Sequence, residues 1–398
     1  MKKILLLGGS SQQIPAIEYA KKKGYYTVLC DYLPDNPGQY FADKFYCVST
    51  TDSKAVLEVA QKENVDGVAA YASDPAAPTA AFVAERVGLP TNSYKSVEIL
   101  AFKDKFRKFL KENNFNCPKS DNFYDLKKAK GALKKFTFPV MVKPVDSSGS
   151  KGVKKIYSTT ELEEAFNTAM SLSRSKNVII EEFIEKGHKY MIGGDCFIIN
   201  GKVEFWGLLN CHRDDQVNEL VPVGKSYPLM ISNEKTEEIH QTVQRVVDLL
   251  DIKFGGFNLE LMFDNTDKLY LIEMGPRNGG NMIPDLLNMI TGVDLVAATV
   301  EAALGNNNIQ LGHGHQQVCY ATHNMHARRN GIFKGIEFGS KLQKCITKKI
   351  TYKKPGDTVE FFDGANKAIG IVFMKFSSVG EMLDVIDNIN KLIDVIVE

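Results

Sequence analysis

The chain has 398 residues, 44% apolar and 24% charged, enough for two to three domains at roughly 100–200 residues each. Lys and Arg number 49 and Asp and Glu 48, a net charge of +1, which argues against a large basic surface for nucleic acid or anionic membrane. No apolar run approaches the ~20 residues of a membrane helix, and seven scattered cysteines without a C-x-x-C pair suit a reducing cytoplasm rather than a disulfide framework or a four-cysteine zinc site.

Met1-Lys2-Lys3 followed by Ile4-Leu5-Leu6-Leu7 imitates a signal peptide. Its apolar part is shorter than the roughly 7–15 residues required, so it reads as a first strand. Helical spacing over 13–23, a β-rich run over 26–30, a short strand over 46–48, a helix over 53–63, a strand over 65–71 and an Ala-rich helix over 76–87 follow. Short strands alternating with helices of about 10–15 residues predict βαβ units and a parallel sheet. Further on, a Lys-dense helix is expected over 102–113, a strand over 139–143, a helix over 161–170 and a buried strand over 178–184. Strands over 195–199 and 202–208 flank Asn200-Gly201, a hairpin signal. A helix over 234–250, a second hairpin from strands 256–263 and 268–273, and a mostly helical stretch over 283–304 come next. From 318 the pattern returns to short strands and ends in a helix predicted over 378–397.

Four motifs carry chemistry. Gly8-Gly9-Ser10 after strand one and Asp31 after strand two have the spacing of a dinucleotide fold, in which an acid holds a ribose. The glycine fingerprint is broken at Ser10 and Gln13, so a generic βαβ turn is the better reading. Lys143 ends a strand and is followed by the loop DSSGSKG over 146–152, with Ser147, Ser148, Gly149, Ser150 and Gly152. Such a loop presents N–H groups and hydroxyls to phosphate, with lysine as a compact charge, or it is a surface hairpin. Glu260 and Glu273 each sit in an apolar β run. Buried carboxylates need a partner, and two converging across a hairpin can hold Mg²⁺ with phosphate oxygens and water. A salt bridge to Arg277 is the alternative, and the burial cost favours metal. Finally, Arg277-Asn278-Gly279-Gly280-Asn281 places an arginine suited to clamping a carboxylate or phosphate, or else a plain turn. His313, His315, His323 and His326 crowd together without a zinc spacing, and a polar or substrate-facing role suits them better than a metal.

Taken in order, the segments KDKFRKFLKENNFNCP, FPVMVKP, DSSGSKGV, VIIEEFI and FNLELMFDNTDKLYLIEMGPRNGG give a chain that resembles the ATP-grasp superfamily over nearly its whole length. By pattern it is similar to biotin carboxylase, carbamoyl-phosphate synthetase and phosphoribosylglycinamide synthetase. The resemblance implies an α/β protein, α+β in its later part. It implies a Rossmann-like parallel-sheet domain over 1–102, an ATP-grasp domain over 103–315 with a lid at about 118–182, and a small β-rich C-terminal domain over 316–398 completing the substrate side. It implies ATP with Mg²⁺, Mn²⁺ being a possible substitute. Lys105 and Lys143 would contact the phosphates, and the 146–152 loop would close over them. Glu181, Glu182, Phe183 and Ile184 would read adenine, Glu182 and Ile184 through backbone groups. Glu260 and Glu273 would hold the metal, and Arg277 would stabilise the transferring phosphoryl group. His212 and Arg213 would line the phosphate and substrate side. Relatives usually carry a further metal-binding Asn at the position of Gly275, for which Asn278 is the candidate substitute. The ribose contact is open, with Glu185 or His188 as candidates. Asp74, Asn278, Asn281, His323, Arg328 and Arg329 are candidates for the substrate side. The implied activity joins a small-molecule carboxylate to an amine through an acyl phosphate, releasing ADP, in a cytoplasmic and possibly homodimeric enzyme with no nucleic-acid or membrane partner. A bicarbonate-using carboxylase, a non-catalytic nucleotide-binding protein and an NAD-dependent oxidoreductase remain as alternatives.

Overall fold

The computed structural model describes residues 1–306, 309, 311–312 and 318–398. His313 and His315 lie outside the described residues. Strands β1 (Lys3–Leu7), β2 (Tyr26–Asp31), β3 (Lys44–Cys47) and β4 (Gly67–Ala69) form a parallel sheet of order β3-β2-β1-β4. Its strands are near-continuous apolar runs because helices cover both faces: Val56, Val59, Val83 and Ala84 pack on one side, Ala16, Ile17, Ala20, Val300 and Ala303 on the other.

Strands β5 (Ser120–Phe123), β6 (Val140–Pro144), β7 (Lys154–Ile156) and β8 (Val178–Glu182) make a small antiparallel sheet of order β5-β8-β6-β7. Its buried face, with Val140, Val142, Ile156, Val178 and Ile180, packs on helices Leu126–Ala132 and Leu162–Leu172.

The largest layer is an eight-stranded antiparallel sheet. It contains β9 (Met191–Ile199), β10 (Lys202–Asp214), β11 (Asn218–Tyr227), β12 (Gly255–Phe263), β13 (Leu269–Gly275), β14 (Cys319–Met325), β16 (Ile346–Thr351) and β18 (Gly370–Phe376), in the order β13-β12-β9-β10-β11-β14-β18-β16. One face of β9 and β12 packs on helices Lys103–Glu112 and Asn233–Leu249 through Ile192, Phe257, Leu259 and Leu261. Across its other face, Phe197 and Leu209 pack on helix Ile283–Thr291. Strands β15 (Gly331–Phe338), β17 (Thr358–Val359) and β19 (Ile393–Val397) form a separate three-stranded sheet.

β14, β16 and β18 of the C-terminal region are hydrogen-bonded into the same sheet as residues 191–275. Two expectations are corrected. The helical stretch over 283–304 is two helices, Ile283–Thr291 and Leu295–Ala303, bent by 115°. Gly292 at φ +77 ends the first in the left-handed conformation, and Asp294 caps the second. The final helix stops at Leu392, and Ile393–Val397 is a strand paired with β15. The β-branched run IDVIV alternates buried and exposed, which suits a sheet rather than a helix. Among the described residues no single helix is long and apolar enough to cross a membrane.

Candidate active site

A cavity of about 880 Å³ lies between the small lid sheet and the eight-stranded sheet. β12 and β13 supply two of its carboxylates. Glu260 and Glu273 are register partners on this antiparallel pair, with a bulge just after Glu260. Residues directly opposite share a face, and like charges so placed repel. Each carboxylate has one cation within 4 Å: Arg213 Nη2 lies 3.5 Å from Glu260 Oε1 and Lys103 Nζ 3.4 Å from Glu273 Oε1. Burial disfavours the Glu260 carboxylate, but Arg213, Lys225 and Lys143 outweigh it and hold its pKa below the usual carboxylate value. Among the described residues no group of three or more His, Cys, Asp or Glu side chains is arranged to hold a metal alone. Two opposed carboxylates are a donor set that fits a hard cation whose shell is completed by phosphate and water.

β6 brings Lys143 to the cavity wall, with its Nζ 2.6 Å from Glu181 Oε2. Glu181 is 2% exposed and also meets Arg107, Nε to Oε1 2.7 Å. Burial opposes its ionisation, yet Arg107 and Lys143 prevail and bring its pKa down to about 2. Its side chain is thus committed to the protein's own cations. The next residues continue along the cavity edge: Glu182 N donates to Lys119 O at 2.9 Å and Phe183 N to Pro139 O at 3.0 Å. Met141, Ile184, Met262 and Ile272 add apolar wall.

Ser147, Ser148, Gly149 and Ser150 lie over the cavity. Gly149 and Ser150 have φ +64 and +61, the left-handed region that glycine enters freely. The loop is anchored on the far side, where Ser150 Oγ donates to Leu220 O at 2.8 Å and Ala365 N to Gly149 O at 3.5 Å. Gly152, at φ +72, turns the chain back against Pro144 and Leu172 and does not line the cavity.

Several expected site residues are placed elsewhere. Lys105 Nζ sits 2.7 Å from Glu98 Oε2 and outside the cavity lining. Two positions along a helix are about 200° of turn apart, so it is Lys103 that faces the cavity, with Arg107 one turn further along the same face. His188 accepts from Phe263 N at 3.1 Å and is turned edge-on to the Phe263 ring, away from the lining. Glu185 does not line the cavity either. Arg277 is clamped to Asp74, and both lie off the large cavity. Asp74 instead lines a chamber of about 280 Å³ on the other side of Glu273 and Ser147. A Cβ on Gly275 would lie 2.8 Å from Asp74 Oδ1, so the space of a side chain there is already filled by the Asp74–Arg277 pair. Asn278 does not replace it: it is fully buried and accepts from Thr299 Oγ1 at 2.6 Å. Asn281 N donates to Gln12 Oε1, joining the first sheet's glycine turn. Arg328 is exposed, and Arg329 donates to Val397 O.

His212, Arg213 and His323 do line the cavity. Burial, helped by Lys225, pushes the His212 pKa down to about 3, and burial with His326 does the same to His323. His326 Nε2 lies 3.2 Å from Asp214 Oδ2. The sequence reading missed Lys103, Arg107, all of β11, and Asp387 and Asn390 from the C-terminal helices. Helical spacing from Lys103 to Arg107 was the available signal for the first two. Pro222 and Gly224 interrupt the alternation that would have revealed β11.

The turn after β1 fits the generic βαβ reading. Gly9 N donates to Asp31 Oδ2 at 2.7 Å, and a Cβ on Gly9 would lie 2.0 Å from Asn36 Oδ1. The turn is filled by the protein itself.

The family model for the ATP binding domain of the carbamoyl-phosphate synthase L chain matches residues 103–310, more than half of the chain. The chain belongs to this ATP-grasp family of ATP-dependent ligases. The carbamoyl phosphate synthase large chain of Thermoanaerobacter sp. (strain X514) is 26% identical over 309 residues, which cover 75% of this chain and 28% of that one. The chain thus spans less than a third of the length of that relative. Two solved structures share the ATP-grasp fold over the whole chain. An L-amino acid ligase from Bacillus licheniformis aligns at TM-score 0.82 and 20% identity, covering 100% of this chain and 99% of that one. Phosphoribosylglycinamide synthetase from Anaerococcus prevotii aligns at 0.76 and 22%, covering 100% of both.

Proposed function

We propose that the large cavity binds ATP with Mg²⁺ and that the chain is a carboxylate–amine ligase. The opposed pair Glu260 and Glu273, ringed by Lys103, Lys143 and Arg213, carries this reading. A divalent cation relieves the repulsion of the two carboxylates and offsets charge on the β- and γ-phosphates. Lys103, Lys143 and the N–H groups of the 147–150 loop hold the phosphate oxygens. The Glu182 carbonyl and the Ile184 N–H read the adenine edge between Met141, Met262 and Ile272.

The protein does little covalent work. A substrate carboxylate oxygen attacks the γ-phosphorus, an O–P bond forms, the β–γ bridge breaks and ADP leaves. The amine lone pair then attacks the acyl carbon. The carbon–oxygen bond to phosphate breaks, and the amine loses a proton to give the amide. Positioning, charge neutralisation and exclusion of water are what the chain supplies. The loop bridging to Leu220 and Ala365 is the cover that keeps water from an acyl phosphate. The carboxylate identity is open, and the likeness to an L-amino acid ligase supports trying amino acids first.

The test is release of ADP and phosphate from Mg-ATP with pooled small carboxylates and hydroxylamine, hydroxamates being identified by mass spectrometry. ADP with one specific hydroxamate is expected. AMP as the product, ADP only with bicarbonate, or nucleotide binding without turnover across the pools would each overturn the carboxylate–amine assignment.

A further inference from the structure

Cys211 and Lys225 are register partners on the antiparallel pair β10 and β11. Lys225 Nζ lies 2.6 Å from Cys211 Sγ, closer than the ordinary contact distance of two non-bonded heavy atoms. The thiol is 2% exposed and the amine 5%. A third strand leaves room for this contact: a Cβ on Gly193 of β9 would be 2.7 Å from the sulfur and 3.1 Å from the nitrogen. Cys211 nevertheless borders the large cavity, which is the route by which a small solute reaches this pair. None of the roles assigned to the cavity uses either group.

We propose that Cys211 and Lys225 form a reversible covalent cross-strand bridge when a peroxide enters the cavity. Peroxide oxidises the thiol to a sulfenic acid: one oxygen is transferred to sulfur and the peroxide is reduced to water. Sulfenic acids condense with a nitrogen nucleophile held beside them. Lys225 gives up a proton, its nitrogen lone pair attacks the sulfur, and the S–O bond breaks as water leaves. An S–N bond remains, and the chain has lost two hydrogens overall. A dithiol reductant reverses the bridge: one of its thiols attacks the sulfur and the S–N bond breaks to return the amine, then its second thiol closes the reductant's own disulfide and releases Cys211 as a thiol.

The experiment treats the full chain with hydrogen peroxide and maps peptides by mass before and after a dithiol reductant. Lys225→Arg, which keeps the charge but lacks the primary amine, and Cys211→Ser are treated in parallel. The expected result is a cross-linked peptide pair joining Cys211 to Lys225, two hydrogens lighter than the sum, abolished by reductant and missing from both variants. Cys211 left as a thiol, carried on to a sulfinic acid, or paired with another cysteine while Lys225 stays unmodified would overturn the bridge.

Discussion

Two sets of glutamates in apolar strands meet different fates. Glu181 on β8 is closed off by Arg107 and Lys143, both within 2.7 Å, and nothing else is needed to satisfy it. Glu260 and Glu273 face each other across β12 and β13, and each has a single cation at 3.4–3.5 Å. A carboxylate in an apolar run is thus not itself a ligand. What separates the two cases is the number and closeness of direct ion pairs per carboxylate and whether a second carboxylate stands opposite.

The sharpest way to break this comparison is Glu181→Gln. It leaves the buried Arg107 and the half-buried Lys143 without their counter-charge, and loss of one member of a buried pair costs about 3–5 kcal/mol; urea unfolding reads that loss. The pH dependence follows from the same group. Its pKa falls from 4.5 to about 2 on folding, so between those values the unfolded chain binds more protons and stability rises with pH. Its contribution is complete above pH 4.5 and drains away as the pH falls through about 2. The urea-midpoint gap between wild type and Glu181→Gln should close over that window, and an unchanged gap would refute the assignment.

Glu273→Gln should behave the opposite way. Its fold stability should stay within about 1 kcal/mol of wild type, since the change removes a like-charge contact. ADP formation should fall about 10²-fold, the scale of a misplaced reacting group. Lys103→Met is smaller: nucleotide affinity measured by titration should drop roughly tenfold, the worth of one charged hydrogen bond of about 1.5 kcal/mol. Lys105→Met should change neither affinity nor stability by more than about 1 kcal/mol, as expected for an exposed pair such as Lys105–Glu98. If Lys105→Met were the more damaging of the two, the helix face assigned here would be wrong.

Much of this was readable before any coordinates. The first parallel sheet, the strand ending near Lys143, the glycine loop and the two glutamate strands announce themselves by period and punctuation, and the five segments in order point to the fold. The lysine that faces the cavity was not readable. Lys103 and Lys105 are alike in type and two residues apart, and only the buried stripe Phe106, Phe109 and Leu110 settles which side of the helix turns inward. Asn278 looked like a substitute ligand because it follows Arg277, yet the turn carries it back under Gly256. Arg277 and Asp74 are 203 residues apart, a pairing that no local pattern encodes. The C-terminal strand was misread because Ser378 caps a helix that does begin there and then gives way to IDVIV.

The eight-stranded sheet has a consequence for anyone wishing to move this ATP-binding unit into another protein. The stretch that carries the family likeness stops at residue 310, but β11 continues its hydrogen bonds into β14 through Gly224–His323 to Tyr227–Tyr320. Excision at that point would bare a sheet edge in the middle of the molecule, a template for other chains. What evolution copies as a module is here not something that can be cut out and kept in solution. A working transplant must carry residues 319–376 with it, although the family match ends before them.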